Sequence, residues 1–349
     1  MFRLASLLVI PIAFACQVIA HGTPPSAAEM VQRRELNLLT GRSLQQRCGS
    51  ALAKRKAKRM HRRAEAGLTT LNKRESNDSV CILTPEVTQG PYHILGELVR
   101  QNITQGQAGV PLELNVDFFD IDTCEPVPRV WVDGWQCNAT GVYSGYEVAS
   151  AASNNGSGSS FPPLPSPTGT GAYTDVDDPN NPMVIVKPGD NENFLRGIWQ
   201  TDDNGELTMH SIVPGWYSGR SVHFHIKVYT EGNGSLADNG TFVAGSAVHT
   251  GQFFFADDFI EKVGNTTSYN TNPVERVYNN DDIWYNYQNA WGYTANMDIA
   301  FKDEDNITAG VVGSISLGLN LTFASPELTP YYWGGNSSDL SATETASAF

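Results

Sequence analysis

Tyr217, His223 and His225 lie within nine residues of one another, in Pro214-Gly215-Trp216-Tyr217-Ser218-Gly219-Arg220-Ser221-Val222-His223-Phe224-His225. On a strand, positions two apart share a face, so both imidazoles would leave one side of a sheet. Tyr217 stands six residues before His223, beyond a Pro-Gly turn signal that folds the chain back. A second phenol, Tyr143, sits in a similar turn, Trp135-Gln136-Cys137-Asn138-Ala139-Thr140-Gly141-Val142-Tyr143-Ser144. Two phenolates and two neutral imidazoles suit a hard, trivalent cation better than zinc or calcium. Imidazole is a general transition-metal ligand, and anionic oxygen favours the ferric state. Tyr143, Tyr217, His223 and His225 therefore read as a non-haem Fe(III) site. His249 and His210 read as packing residues. His93, just after Gly90-Pro91-Tyr92, is structural or lines the pocket.

These residues resemble the intradiol ring-cleavage dioxygenases, whose signature runs as a Gly-x-Tyr-Ser turn, Pro-Gly-x-Tyr and Arg-x-x-His-x-His. Leu83-Thr84-Pro85-Glu86-Val87-Thr88-Gln89-Gly90-Pro91-Tyr92 is similar to the segment opening that family's catalytic domain. Phe194-Leu195-Arg196-Gly197 and Thr201-Asp202-Asp203-Asn204-Gly205 resemble its strand and hairpin before the second tyrosine. Gln252 falls where the family carries a glutamine behind the metal ligands, and Gln89 stands where many relatives have glutamate. The resemblance spans roughly residues 81 to 325 and is strongest to the secreted fungal branch.

That resemblance implies a secreted enzyme acting on a catechol-type diol and O2, such as lignin-derived or plant phenolics. It would cleave between the two hydroxylated carbons and give a muconate-type dicarboxylic acid. Tyr217 would act as ligand and base, and Arg220 would stabilise negative charge developing on the substrate. Gln252 would orient its neighbours from behind the ligands. Trp135, Trp216 and Phe224 either shape the pocket or pack. A reading from another class is a secreted β-sandwich glycoprotein that binds aromatics or sugars without turnover.

Strands must position this set. Leu112-Glu113-Leu114-Asn115-Val116-Asp117-Phe118 alternates apolar and polar, as a half-buried strand does. Residues 130–135 are expected to pair with it across a proline-containing turn. Residues 206–212, 221–229, 252–255 and 315–323 are further strands, and 259–263 a helical turn. Residues 275–294 are expected to be irregular and aromatic. Short strands between turn signals predict an all-β, antiparallel β-sandwich with long loops. The Ser/Gly/Pro/Asn-rich stretch 149–171, lying between the two tyrosines, is expected to form the pocket rim or a flap.

The flanks set the context. Residues 1–20 carry Arg3, an apolar run from Leu4 to Ala15 and a small-residue ending, the pattern of a secretory signal peptide. The run is too short to span a bilayer. Residues 21–80 form a basic arm, short and helical or unstructured, residues 81–325 the catalytic domain, and 326–349 a polar tail. Thirteen of the 23 Lys and Arg lie between Arg33 and Arg74, whereas residues 75–349 hold nine basic and 34 acidic residues, a net charge of −25. Secretion and that acidic body argue against nucleic-acid and membrane partners. Arg33-Arg34, Lys54-Arg55, Arg62-Arg63 and Lys73-Arg74 are dibasic, so the arm is either a retained helix or processed, and the oligomeric state stays open.

Ten sequons fit a glycosylated exterior: Asn77, Asn102, Asn138, Asn155, Asn233, Asn239, Asn265, Asn306, Asn320 and Asn336. Asn138 lies five residues before Tyr143, where a glycan would crowd the metal turn. Without Cys16, the cysteines Cys48, Cys81, Cys124 and Cys137 suit two disulfides in an oxidising compartment, with Cys124–Cys137 preferred across a hairpin.

Overall fold

The computed structural model describes residues 27–70, 87, 89–154, 173–175, 178–183, 186–289, 294–325, 327 and 331–333. The expected signal peptide, Cys81, most of the 149–171 stretch and nearly all of the tail lie outside them.

Helix α1 (Ala27–Glu65) leads into strand β1 (Thr69–Thr70). The main strands follow as β2 (Pro111–Asp120), β3 (Trp131–Trp135), β6 (Arg196–Gln200), β7 (Glu206–Ile212) and β8 (His223–Tyr229), then β11 (Ala247–Phe254), β12 (Asp298–Phe301) and β13 (Val311–Leu319). Two small pairs are β4 (Tyr173–Asp175) with β5 (Asp178–Met183), and β9 (Gly234–Leu236) with β10 (Phe242–Ala244). Three short helices are α2 (Glu147–Asn154), α3 (Asp257–Gly264) and α4 (Ile283–Gln288).

One sheet has the order β1-β12-β13-β2-β7 and the other β11-β8-β3-β6. Leu114 and Val116 of β2, Met209 of β7 and Phe224 and Ile226 of β8 fall in one buried apolar cluster, so both sheets contribute to a common core. Burying apolar surface at about 25 cal/mol per Å² makes this cluster the main stabilising feature. The fold is β-rich, as the alternating segments predict.

Two expectations about strand pairing fail. The sheets are not wholly antiparallel, because β13 runs parallel to β2 from Val311↔Leu112 to Leu319↔Asp120. Nor does the 130–135 strand pair with β2. Both edges of β2 are already taken, by β7 and β13. A turn does form, with Asp120 N donating to Glu125 O and Val127 N to Phe118 O, but the chain then crosses to the other sheet.

The basic arm is longer than expected and fastened to the body. Leu44, Cys48 and Leu52, spaced by four, bury one stripe of α1 against Phe119. Further along that stripe, Arg59 Nη1 donates to Asp117 Oδ2 at 2.7 Å, and Arg63 Nη2 to Asp298 O at 2.9 Å. Cys48 is disulfide-bonded to Cys124, 76 residues away, which corrects the expected Cys124–Cys137 pair. Cys137 lies beyond β3 on the other sheet, where it is buried and free, and burial pushes its thiol up to about 12.

Candidate metal centre

The four-stranded sheet presents one transverse row of side chains. Gln252 of β11 pairs with His225 of β8, His225 with Trp135 of β3, and Trp135 with Arg196 of β6. Directly opposed residues share a face, so all four strands contribute to the same surface. Phe224, Ile226 and Val228 turn to the core, which leaves His223 and His225 together on the other face. The Trp135 indole lies flat on the His225 ring, with centres 4.8 Å apart at an interplanar angle of 4°.

The tyrosines arrive on two turns tied to each other. In the first, Asn138 Oδ1 accepts from Thr140 N, Thr140 Oγ1 and Val142 N. In the second, Gly215 N donates to Asn138 O at 3.2 Å. A Cβ on Gly215 would stand 2.4 Å from Asn138 O and Ala139 O, so only glycine lets the two turns meet. Arg196 fixes the first turn from β6, its Nε and Nη2 donating to Ser144 O at 3.0 and 2.8 Å. Glu97 Oε1, 3.6 Å from Arg196 Nη1, supplies countercharge, and burial pushes the Glu97 carboxyl up to about 7.

Tyr143, Tyr217, His223 and His225 are brought together, all of them buried. His223 Nδ1 donates to Ser221 O at 2.7 Å, so in the neutral ring Nε2 is the unprotonated nitrogen, and it faces the cluster. Tyr217 Oη lies 3.3 Å and His225 Nε2 3.0 Å from His223 Nε2. The Tyr143 ring is centred 5.6 Å from that of Tyr217 and 6.3 Å from that of His225. Tyr143 Oη is fully buried and interacts with the Tyr217 hydroxyl outside good hydrogen-bond geometry.

This donor set fits a hard cation. The Tyr217 oxygen faces His223, the Tyr143 ring packs against Tyr217 and His225, and His223 has its far nitrogen committed to a backbone carbonyl, as metal-bound histidines usually do. Among the described residues, no group of three His, Cys, Asp or Glu could hold a metal, so any metal site here depends on the phenols. Burial pushes the Tyr143 and Tyr217 phenols above their ordinary value, although Arg220 opposes the rise at both. Without a cation both therefore stay protonated near neutral pH. A trivalent ion inverts that preference and displaces the protons.

Arg220 is buried beside the phenols. Its Nε donates to Asp282 Oδ2 at 2.8 Å and its Nη2 to Gln252 Oε1 at 2.6 Å, while Nη1 has no partner. Burial works against its charge, but Asp282, Tyr217 and Tyr143 outweigh that and raise its pKa.

Of the histidines expected to be structural, His93 and His249 are buried and His210 is half-buried. His93 Nε2 lies 3.0 Å from Asp133 Oδ2, and the His93 ring packs on Trp135 with centres 4.7 Å apart. Gln89 Oε1 accepts from Lys227 Nζ at 3.0 Å rather than reaching the centre. Trp216 packs on Tyr269 and donates to Val274 O, and Phe224 is core. The sequence reading missed Asp282 and the role of Arg196. An Asp just before Ile283-Trp284 was a legible helix-cap signal for the first.

No protein-family model and no curated protein matches the sequence. An intradiol ring-cleavage dioxygenase structure from Tetranychus urticae is 26% identical, covers 70% of this chain and 98% of its own, and superposes with a TM-score of 0.53. A second dioxygenase structure has the same identity and coverage, with a TM-score of 0.51. The catechol 1,2-dioxygenase of Pseudomonas arvilla C-1 is 18% identical, covers 88% of this chain and 82% of its own, and has a TM-score of 0.41. Fold and motifs thus agree on the intradiol ring-cleavage dioxygenases as the enzyme class this chain resembles. The likeness to a secreted fungal branch rests on the motifs alone.

Proposed function

We propose that this chain is a secreted non-haem Fe(III) dioxygenase that cleaves catechol-type diols between their hydroxylated carbons to muconate-type dicarboxylic acids. The observation carrying this reading is the meeting of two phenols with two imidazoles from one strand, the His223 tautomer being fixed by Ser221 O. Tyr143, Tyr217, His223 and His225 would hold the ion, in a β-sandwich formed by the two sheets. Bound Fe(III) supplies the Lewis acidity and redox partnership that make a chelated catecholate reactive toward O2. The Cys48–Cys124 disulfide supports an oxidising compartment, and with it the signal-peptide reading of residues 1–20.

The chain's own residues handle protons and charge. A catechol must lose its protons to chelate, and Tyr217 Oη takes up one of them. The Arg220 guanidinium, with Nη1 unspent and Nη2 anchored on Gln252, stabilises negative charge on the substrate oxygens as it develops. In a site this dry, such a charge interaction is far stronger than in water. Trp135 lies flat on His225 and keeps water from that side of the ring.

Oxygen uptake by the iron-loaded protein across a panel of catechols, with mass analysis of products, tests the proposal. The expected product is the ring-opened diacid carrying both atoms of labelled O2. Saturable catechol binding without oxygen uptake would favour the binding-only alternative.

A further inference from the structure

Asp282 lies 62 residues from Arg220 in sequence, outside every motif that marks the centre, yet its carboxylate joins three parts of it. Its Oδ2 accepts from Arg220 Nε at 2.8 Å, Ser221 N at 2.8 Å and Ser221 Oγ at 3.1 Å. Its Oδ1 accepts from Trp284 N at 2.8 Å and Tyr285 N at 3.1 Å, which caps α4. The side chain is fully buried, as is that of Arg220 apart from 3%. A buried carboxylate that accepts five hydrogen bonds and faces a guanidinium is held in one orientation, because any other would strand a charge without partners.

Two consequences reach the centre. The bond to Nε fixes the plane of the guanidinium. With Nη2 on Gln252 Oε1, Nη1 is the guanidinium nitrogen left without a hydrogen-bond partner, in a group that interacts electrostatically with both phenols. The bonds to Ser221 N and Oγ hold Ser221 by its backbone and its side chain, and the Ser221 carbonyl, in the following peptide, accepts from His223 Nδ1 and so orients the ring presenting Nε2. Gln252 alone could not do this, since one bond to Nη2 lets the guanidinium rotate about it.

We propose that Asp282 is a positioning residue of the ring-cleavage reaction, aiming the Arg220 guanidinium at the substrate oxygens and, through Ser221, the His223 nitrogen at the metal. The inference rests on the functional reading above.

Asp282→Asn tests it, because the amide keeps shape and can keep the α4 cap while opposing an NH2 to three donors. Asp282→Ser is the second variant; serine is a good helix cap but cannot reach Arg220. In the iron-loaded protein each variant should lose about 10- to 100-fold in kcat, the usual cost of removing a partner behind a metal ligand. The discriminating measurement is a cycle with Arg220→Gln. If Asp282 acts through the guanidinium, adding Asp282→Asn to Arg220→Gln costs no more than about a further twofold in kcat. Iron titration reads the other arm, where Asp282→Asn should weaken iron binding more than Arg220→Gln, which spares the Ser221 contacts. Multiplying losses in kcat, or equal iron affinities in the two single variants, would overturn the role of Asp282 alone. A wild type that is colourless and inactive after iron loading would overturn the functional reading, and this inference with it.

Discussion

Tyr143 Oη is a buried hydroxyl whose partner, the Tyr217 hydroxyl, lies outside good hydrogen-bond geometry, and a poorly satisfied buried hydroxyl ordinarily costs up to about 1–3 kcal/mol. Packing alone gives no reason to keep it, since phenylalanine would fill the same space without the penalty. A ligand role does. Tyr143→Phe should therefore leave the metal-free protein as stable as wild type or more so, by up to about 1 kcal/mol in chemical denaturation. The same variant should lose most of its iron in competition with a chelator. A variant that is clearly destabilised yet loads iron normally would make Tyr143 a structural residue. The four candidate ligands stood out in sequence because they cluster: His223 and His225 are two apart on one strand, and each tyrosine follows a glycine turn. Asp282 was legible only as a helix cap, because its partners Arg220 and Ser221 are supplied by a fold that no local pattern announces.

At the level of elements, β8 matters most. Its alternation puts Phe224, Ile226 and Val228 into the core and so forces both histidines to the outer face. That much follows from a period of two. The neighbours of β8 did not follow, because the sequence near residues 126–130 offers a turn and a turn usually implies a hairpin. Here both edges of β2 are occupied by residues nearly a hundred or more positions away, and the expected hairpin opens between the sheets. Glycine marks the other long-range constraints. Gly90, at φ +73, passes so close to His225 that a Cβ would stand 3.2 Å from its Cε1.

The arm is an element of the same kind, charged in sequence but fixed by distant partners. The pairs of Lys58 and Arg62 with Glu206 are exposed on the helix side and worth little, of the order of 0–1 kcal/mol each. Closing a loop between residues 76 apart is worth about 4 kcal/mol on the chain-entropy account, so the disulfide dominates. Cys48→Ser is expected to lower unfolding stability by about 2–4 kcal/mol without lowering iron affinity, because the helix packs on the sheet away from the metal face. A loss under about 1 kcal/mol would mean that burial of Leu44 and Leu52, not the crosslink, holds the arm.

Over the whole molecule, charge and architecture have one explanation. Thirteen basic residues in the arm and a net charge of −25 from residue 75 onward look like two unrelated segments in sequence. In the fold, part of that basic charge is spent on Asp117, Glu206 and the Asp298 carbonyl of the acidic body. The basic run is thus used within the molecule, which a reading of composition could not reveal. One sheet carries the arm on its outer side, the other carries His223 and His225 on its outer face, and both contribute to a shared core. The claim on which the rest depends is that this second sheet and its two tyrosine turns enclose a single iron ion. Anomalous diffraction at the iron edge, on crystals of the iron-loaded protein, tests it most directly. The prediction is one strong peak bounded by Tyr143 Oη, Tyr217 Oη, His223 Nε2 and His225 Nε2. A peak bound elsewhere, or none in protein that has demonstrably taken up iron at one site, would contradict it.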